Sequence, residues 1–193
     1  MSDYGIEGYS GRCMVTPSER ECVLHHLPPD GRVLETGTCD GQTARFLAER
    51  GASFVQSVDP FKQGPDIRGI NQCAGKADMW LENAEANEKG NQALFTGVIQ
   101  DFAAEYRGEH FDLMFIDGDH SYAGCMIDLM YGLTVLKAGA VICVHDYGRV
   151  NKETLFPNPA GEGVLRAVHD FCIYGPWEIV ERCDSVAVLK RRY

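Results

Sequence analysis

The sequence predicts an α/β protein: a doubly wound, mainly parallel sheet closed by a C-terminal antiparallel hairpin. Three observations carry that expectation. Short β-rich runs alternate with helical patterns through most of the chain, as in repeated βαβ units. The 193 residues fit a single domain and can bury a full core without metal or disulfide staples. Hydrophobic residues at 45 % and charged residues at 24 % place the chain among ordinary globular proteins rather than disordered ones.

Pro17 opens a helix over Ser18 to Leu27 that Pro28-Pro29 closes, so residues 1–30 form an N-terminal helical extension of the 1–193 domain. Arg32 to Thr36 is the first strand and Gln42 to Arg50 the next helix, ended by Gly51. Ser53 to Val58 is the second strand. Residues 61–75, rich in Gly, Asn, Gln and Asp, form a loop, and Ala77 to Lys89 a helix that Gly90-Asn91 stops. The third strand is Ala93 to Ile99, with a short helix from Asp101 to Tyr106 after it. Phe111 to Ile116 is a buried strand. Ser121 to Leu136 is an amphipathic helix with Cys125, Leu129, Leu133 and Leu136 on one face. Lys137-Ala138-Gly139 ends that helix, and Ala140 to Val144 is the fifth strand. A loop over 148–162 leads to a helix over Gly163 to Cys172. Trp177 to Arg182 and Ser185 to Lys190 then make a hairpin around Cys183-Asp184.

Composition narrows the function classes. The longest apolar run, Ala140 to Val144, is far short of the ~20 residues of a membrane span. Residues 1–12 carry no secretory signal, so a cytoplasmic location is expected. The net charge of −10 disfavours nucleic acid and anionic membrane as partners, and Lys190-Arg191-Arg192 is a solvated tail. Eight cysteines without a C-x-x-C pair read as reduced thiols rather than as a disulfide or zinc framework.

In such sheets ligands sit beyond the carboxyl ends of the strands. After the first strand comes Glu35-Thr36-Gly37-Thr38-Cys39-Asp40-Gly41, a glycine turn into a helix N-terminus. A dinucleotide fingerprint would want glycines at 37, 39 and 42, but Cys39 and Gln42 stand there, and a side chain at 39 obstructs a pyrophosphate. No phosphate-binding P-loop run exists. Asp59 ends the second strand 22 residues past Gly37, near the ~20-residue offset at which a carboxylate meets ribose hydroxyls. Asp59 also suits turn formation before Pro60. A ligand with adenosine but no pyrophosphate, S-adenosylmethionine, fits both features.

The Glu35–Gly41 run resembles motif I of the class I S-adenosylmethionine-dependent methyltransferases, whose fold is a Rossmann-like sheet, and Asp59 is similar to their acid after strand two. Phe115-Ile116-Asp117-Gly118-Asp119-His120-Ser121-Tyr122 and, 28 residues past Asp117, His145-Asp146-Tyr147-Gly148 resemble one branch, the catechol O-methyltransferase-like and macrolide or aminocoumarin sugar O-methyltransferases. The resemblance spans roughly residues 30–190. It implies methyl transfer to a hydroxyl of a small-molecule substrate. Gly37, Thr38 and Gly41 would hold the methionine end of the cofactor, with Glu35 near its ammonium. Asp59 would hold the ribose, a turn over Ile99 to Asp101 would flank the adenine, and Asp117 would also border the cofactor. The resemblance further implies a divalent cation, magnesium or manganese, on Asp117, His145 and Asp146. His145 departs from the branch's usual carboxylate or amide, and imidazole suits softer ions than magnesium. Without a metal, Asp117 and Asp146 would accept backbone N–H bonds. The branch places a general base at Asp119 or His120. Imidazole, with its ordinary pKa of ~6.5, favours His120, while Asp119 equally suits a helix cap. Small enzymes of this kind often form homodimers.

Other residues read more plainly. His25-His26 are solvated or packed on a surface helix, His110 and His169 have no evident partners, and Met79-Trp80-Leu81 anchors its helix. Phe61 and Tyr147 lie on the ligand side. Three alternatives remain open: a protein that binds S-adenosylmethionine without turnover, an N-methyltransferase, and an NAD-dependent oxidoreductase, the last opposed by Cys39.

Overall fold

The computed structural model describes residues 15–61, 76–148 and 159–192. The expected loop over 61–75 beyond Phe61, residues 149–158 of the expected 148–162 loop, and residues 1–14 lie outside these stretches, and with them Cys13 and Cys73. Seven strands, β1 (Arg32–Thr36), β2 (Phe54–Val58), β3 (Gln92–Phe95), β4 (Phe111–Ile116), β5 (Leu136–Val144), β6 (Trp177–Cys183) and β7 (Val186–Arg191), form one sheet in the order β3-β2-β1-β4-β5-β7-β6. The first five run parallel, and β7 pairs antiparallel with both β5 and β6, so the expected architecture and terminal hairpin are present.

Period-two alternation divides the sheet's side chains between two cores. Val33, Val55, Leu113, Phe115, Val141 and Cys143 face α1 (Pro17–His25) and α2 (Gln42–Arg50). Leu34, Val58, Met114, Ile116, Ile142 and Val144 face α4 (Ile99–Glu105), α5 (Tyr122–Gly132) and α6 (Pro159–Tyr174). Strands covered on both faces must be apolar almost throughout, which is why Phe111–Ile116 carries so strong a signal. Helix α3 (Ala77–Glu85) packs beside α2 through the buried Trp80 and Asn83.

Helix boundaries follow local chemistry. Thr16 caps α1 in a reciprocal capping box with Glu19, and Pro17 stands where no backbone donor is needed. The expected third strand ends early: β3 stops at Phe95 and Ile99 begins α4. Gly97 N–H donates to the Asp59 carbonyl there, turning the chain off the sheet edge. The expected Ile99–Asp101 turn is therefore the first turn of α4, with Ile99 in the core and Asp101 exposed. Lys137-Ala138-Gly139 does not end a helix. Helix α5 already ends at Gly132, a 3-10 turn covers Leu133–Val135, and the tripeptide bulges out of β5. Phe111 pairs with Leu136 but Leu113 pairs with Val141, and Gly139 takes φ +83° to absorb the extra residues. Helix α6 starts at Pro159 rather than Gly163, since proline is well placed in a first turn.

Candidate active site

The carboxyl ends of β1, β2, β4 and β5 converge, and backbone bonds carry the pairing one step past the strands. Gly37 N–H donates to the Val58 carbonyl, Asp117 N–H to that of Thr36 and His145 N–H to that of Ile116. Three non-glycine residues with positive φ, Cys39 (54°), Phe61 (46°) and Asp146 (57°), follow β1, β2 and β5. Such conformations cost free energy and collect at functional sites.

Gly37 (φ +80°) lies so close to β4 that a Cβ would land on the Asp117 carbonyl. Gly41 (φ +81°) lies under Trp80, whose ring would meet a Cβ at 2.6 Å. The Trp80 indole N–H is buried with no hydrogen-bond partner among the described residues. Thr38 and Asp40 are buried in the turn, and the Asn83 amide donates to the Asp40 carbonyl at 2.8 Å. Asp59 does what its turn chemistry suggests: Oδ1 accepts from Phe61 N–H at 2.7 Å and Oδ2 from Cys39 N–H at 3.0 Å. It thereby ties the β2 turn to the glycine turn. Burial raises its pKa against those two bonds, and two of its roughly four acceptor sites are left for a ligand. Glu35 is fully buried and accepts from the Ser57 hydroxyl at 2.8 Å. Burial pushes its pKa up to about 7, only partly offset by the nearby Thr38 hydroxyl and the Ser57 hydrogen bond. It is a negative charge in waiting, ready for a cationic partner.

Beside this turn lies a chain of carboxylates and imidazoles. His145, 2 % exposed, has Nδ1 at 2.7 Å from Asp117 Oδ1 and Nε2 at 3.4 Å from Glu19 Oε2. Burial works against its positive charge, yet Asp117, Glu19 and Asp146 raise its pKa well above the usual histidine value. The buried ring is an imidazolium between two acids. Asp117, despite burial, is held far below the usual carboxylate range by His145 and His120. His120 Nε2 lies 3.3 Å from Asp146 Oδ2 and 3.6 Å from Asp117 Oδ1, buried but without a well-aligned hydrogen bond. Burial lowers its pKa, but Asp117 and then Asp146 outweigh that and raise it.

The metal-ligand grouping differs from the expected one. Asp117, His120 and Asp146 bring one ligand atom each within 4.8 Å of one another. His145 stands behind them with both nitrogens facing carboxylates, so it has no lone pair to offer while charged. Asp119 sits at the start of α5: its Oδ1 accepts from Ser121 N–H at 2.8 Å, and Ser121 caps the helix through Gly124 N–H. Ser121 rather than Asp119 is thus the cap, and Asp119 forms the turn that leads into it. Ile99 packs in the core with Val58 and Phe102, so its side chain is withdrawn from any ligand.

Two residues were missed by the sequence reading. Glu19 signals itself as a capping-box acid, but its reach to His145 joins α1 to β5 across 126 positions and has no local signature. Asp128 on α5 accepts from the Thr36 hydroxyl at 3.0 Å, and burial pushes its pKa to about 7. His169 has a partner after all, the Tyr147 hydroxyl at 2.8 Å.

A family model described as a methyltransferase domain matches residues 34–147, more than half of the chain and all of the convergent strand ends. No curated protein sequence matches. Among solved structures, cofactor-bound Rv0187 from MTB aligns with a TM-score of 0.68 at 20 % identity, over 94 % of this chain and 83 % of that one. The O-methyltransferase from Bacillus cereus in complex with SAH aligns at 0.62 and 19 %, over 90 % and 78 %. The O-methyltransferase TomG from Streptomyces achromogenes, in complex with SAM, aligns at 0.62 and 15 %, also over 90 % and 78 %. At these identities the likeness establishes the fold.

Proposed function

The chain belongs to the methyltransferase-domain family, and from that premise we propose that it moves the methyl group of S-adenosylmethionine to a hydroxyl of a small molecule, with His120 as the proton acceptor. The observation that carries the reading is His120 Nε2 facing Asp146 and Asp117 at 3.3 and 3.6 Å, beside the Gly37 turn. The bound SAH and SAM of the Bacillus cereus and Streptomyces achromogenes enzymes support the cofactor.

The sulfonium is already activated, so the protein's main task is alignment. Orientation alone can remove about 7–11 kcal/mol of barrier. Gly37, Thr38 and Gly41 present backbone at the helix N-terminus, Glu35 supplies the charge for the cofactor ammonium, and Asp59 has acceptor sites left for ribose hydroxyls. When bound, the cofactor would supply its methyl carbon to the acceptor oxygen, the carbon–sulfur electron pair staying with the sulfur of the S-adenosylhomocysteine product. The hydroxyl proton goes to His120. Carboxylates that hold Nε2–H leave the lone pair on the other ring nitrogen, the orienting logic of an acid–histidine pair. A raised pKa moves the neutral, basic form to higher pH, so kcat/KM climbs with pH through a value above 6.5.

A second reading rests on the same trio. Asp117, His120 and Asp146 fit a divalent cation, two hard oxygens and one imidazole around a poorly partnered buried nitrogen. Such an ion, when bound, supplies Lewis acidity to the acceptor hydroxyl. Its binding at Nε2 and proton acceptance by His120 exclude each other, because the ligated ring keeps its hydrogen on the other nitrogen.

The test is methylation of a panel of phenols, sugar hydroxyls and amines, read by mass, with wild type and His120→Ala. The variant keeps S-adenosylmethionine affinity and loses about 10²–10⁴ in kcat. Wild-type turnover by the variant, or methylation of amines alone, overturns the reading. Chelator-insensitive turnover supports the proton acceptor, and loss restored by manganese or magnesium supports the ion.

A further inference from the structure

Helix α1 and strand β6 bring a second group of ligating side chains together on the flank of the domain. Cys22 and His26 are four apart and share one helical face. Glu181 and Cys183 are two apart on β6 and share one face of the strand. Cys22, His26 and Glu181 bring one ligand atom each within 4.8 Å of one another, and His26 Nε2 is 2.9 Å from Glu181 Oε2. The Cys183 thiol neighbours that of Cys22 and donates to the Ser18 carbonyl at 3.4 Å. Both thiols are free.

We propose that Cys22, His26 and Glu181 hold a zinc ion that fastens α1 to β6, with Cys183 turning in from beside Cys22 as the fourth ligand. Thiolate, imidazole and carboxylate are each zinc ligands, and four of them together suit its borderline-soft, four-coordinate chemistry. Bond lengths of about 2.0–2.3 Å put tetrahedral ligand atoms roughly 3.3–3.8 Å apart, a contraction that side-chain rotation supplies for Cys22, His26 and Glu181, while Cys183 turns further and gives up its bond to the Ser18 carbonyl. Zinc replaces protons here: the two thiol protons leave to solvent, and His26 ligates through Nε2 as the neutral ring. Burial and the nearby Cys183, Glu181 and Glu19 hold the Cys22 thiol protonated in the free protein, its pKa pushed up to about 12, so binding strengthens with pH. From the sequence, His26 reads as solvated or packed on its helix and the cysteines as reduced thiols. Only the packing of α1 on β6 joins the halves of the site. Glu19, one turn before Cys22, reaches His145, so the same staple steadies the helix that supports the active-site histidine.

The experiment uses the full chain, reduced and metal-free, titrated with cobalt(II) and then zinc. Expected are a thiolate-to-cobalt charge-transfer band with tetrahedral d–d bands, saturating at one thiolate-bound cobalt per chain and bleached by zinc. Zinc at a hundredfold excess over Kd raises Tm by about 5–10 °C. The Asp117, His120 and Asp146 group holds no thiol, so the charge-transfer band separates the two sites. Cys22→Ser and His26→Gln each abolish the band and the Tm rise, and His26, at the helix end, can change without emptying the core. No band in excess cobalt, or an undiminished band in His26→Gln, overturns the proposal.

Discussion

Replacing Glu19 by Gln tests the buried ion chain directly. The carboxylate uses all four acceptor sites: Oε1 takes Ser185 N–H at 2.9 Å and the Ser185 hydroxyl at 2.6 Å, while Oε2 takes Thr16 N–H at 2.8 Å and faces His145 Nε2 at 3.4 Å. Burial pulls its pKa up, but His145, Ser185 and Thr16 together bring it from 4.5 to about 2. At about 1.36 kcal/mol per pH unit, that drop corresponds to about 3 kcal/mol. The group is 2 % exposed, so little of this is lost to solvent screening. Glutamine keeps the shape and one acceptor oxygen but leaves the His145 imidazolium with Asp117 as its main partner, and breaking a buried pair costs a similar ~3–5 kcal/mol. For a chain of this size the loss lowers Tm by about 6–12 °C. The sign with pH follows from the depressed value: the stabilisation is complete above about 4.5 and vanishes as pH falls through about 2. Urea unfolding of wild type and Glu19→Gln at pH 7, 5 and 3 measures the gap. A gap under 1 kcal/mol at pH 7, or one that does not narrow toward pH 3, refutes the argument.

Glu35→Gln should weaken S-adenosylmethionine binding by about 10–100-fold, the worth of one charged hydrogen bond, as read by calorimetry. Because burial sets the Glu35 pKa at about 7, wild-type affinity should improve as pH rises from 6 to 8, and Glu35→Gln should show a flat profile. Gly41→Ala should lower Tm and abolish cofactor binding together. Its left-handed backbone costs a Cβ-bearing residue about 1–2 kcal/mol, and the new methyl would press on Trp80. Normal calorimetric affinity in that variant would mean Trp80 can move aside.

Much of the molecule was legible in the chain. Gln42–Arg50 and Phe111–Ile116 were read to the residue, since one follows a glycine turn and ends at Gly51 while the other is buried on both faces. Gly37 and Asp59 announced the turns after β1 and β2 because local backbone geometry leaves local marks: a positive φ demands glycine, and an acid before Pro60 makes a turn. Short-range rules mistook what long-range pairing overrode. Lys137-Ala138-Gly139 carries stop signals, yet pairing of Leu136 with Phe111 draws it into β5 as a bulge. Val98-Ile99 has strand composition, but the edge position of β3 leaves it no second partner and Ile99 turns into the core. The side-chain partnerships at the site are also tertiary. The resemblance alone put His145 among the metal ligands, whereas its place between Asp117 and Glu19 depends on α1 packing over the end of β5. The sequence by itself determined the sheet, its winding and the glycine turn, because these rest on periodicity and backbone conformation over a few residues. Which histidine faces the cleft, and which acids hold the other, was decided only when distant elements met, because charge pairing depends on distance in space and not along the chain.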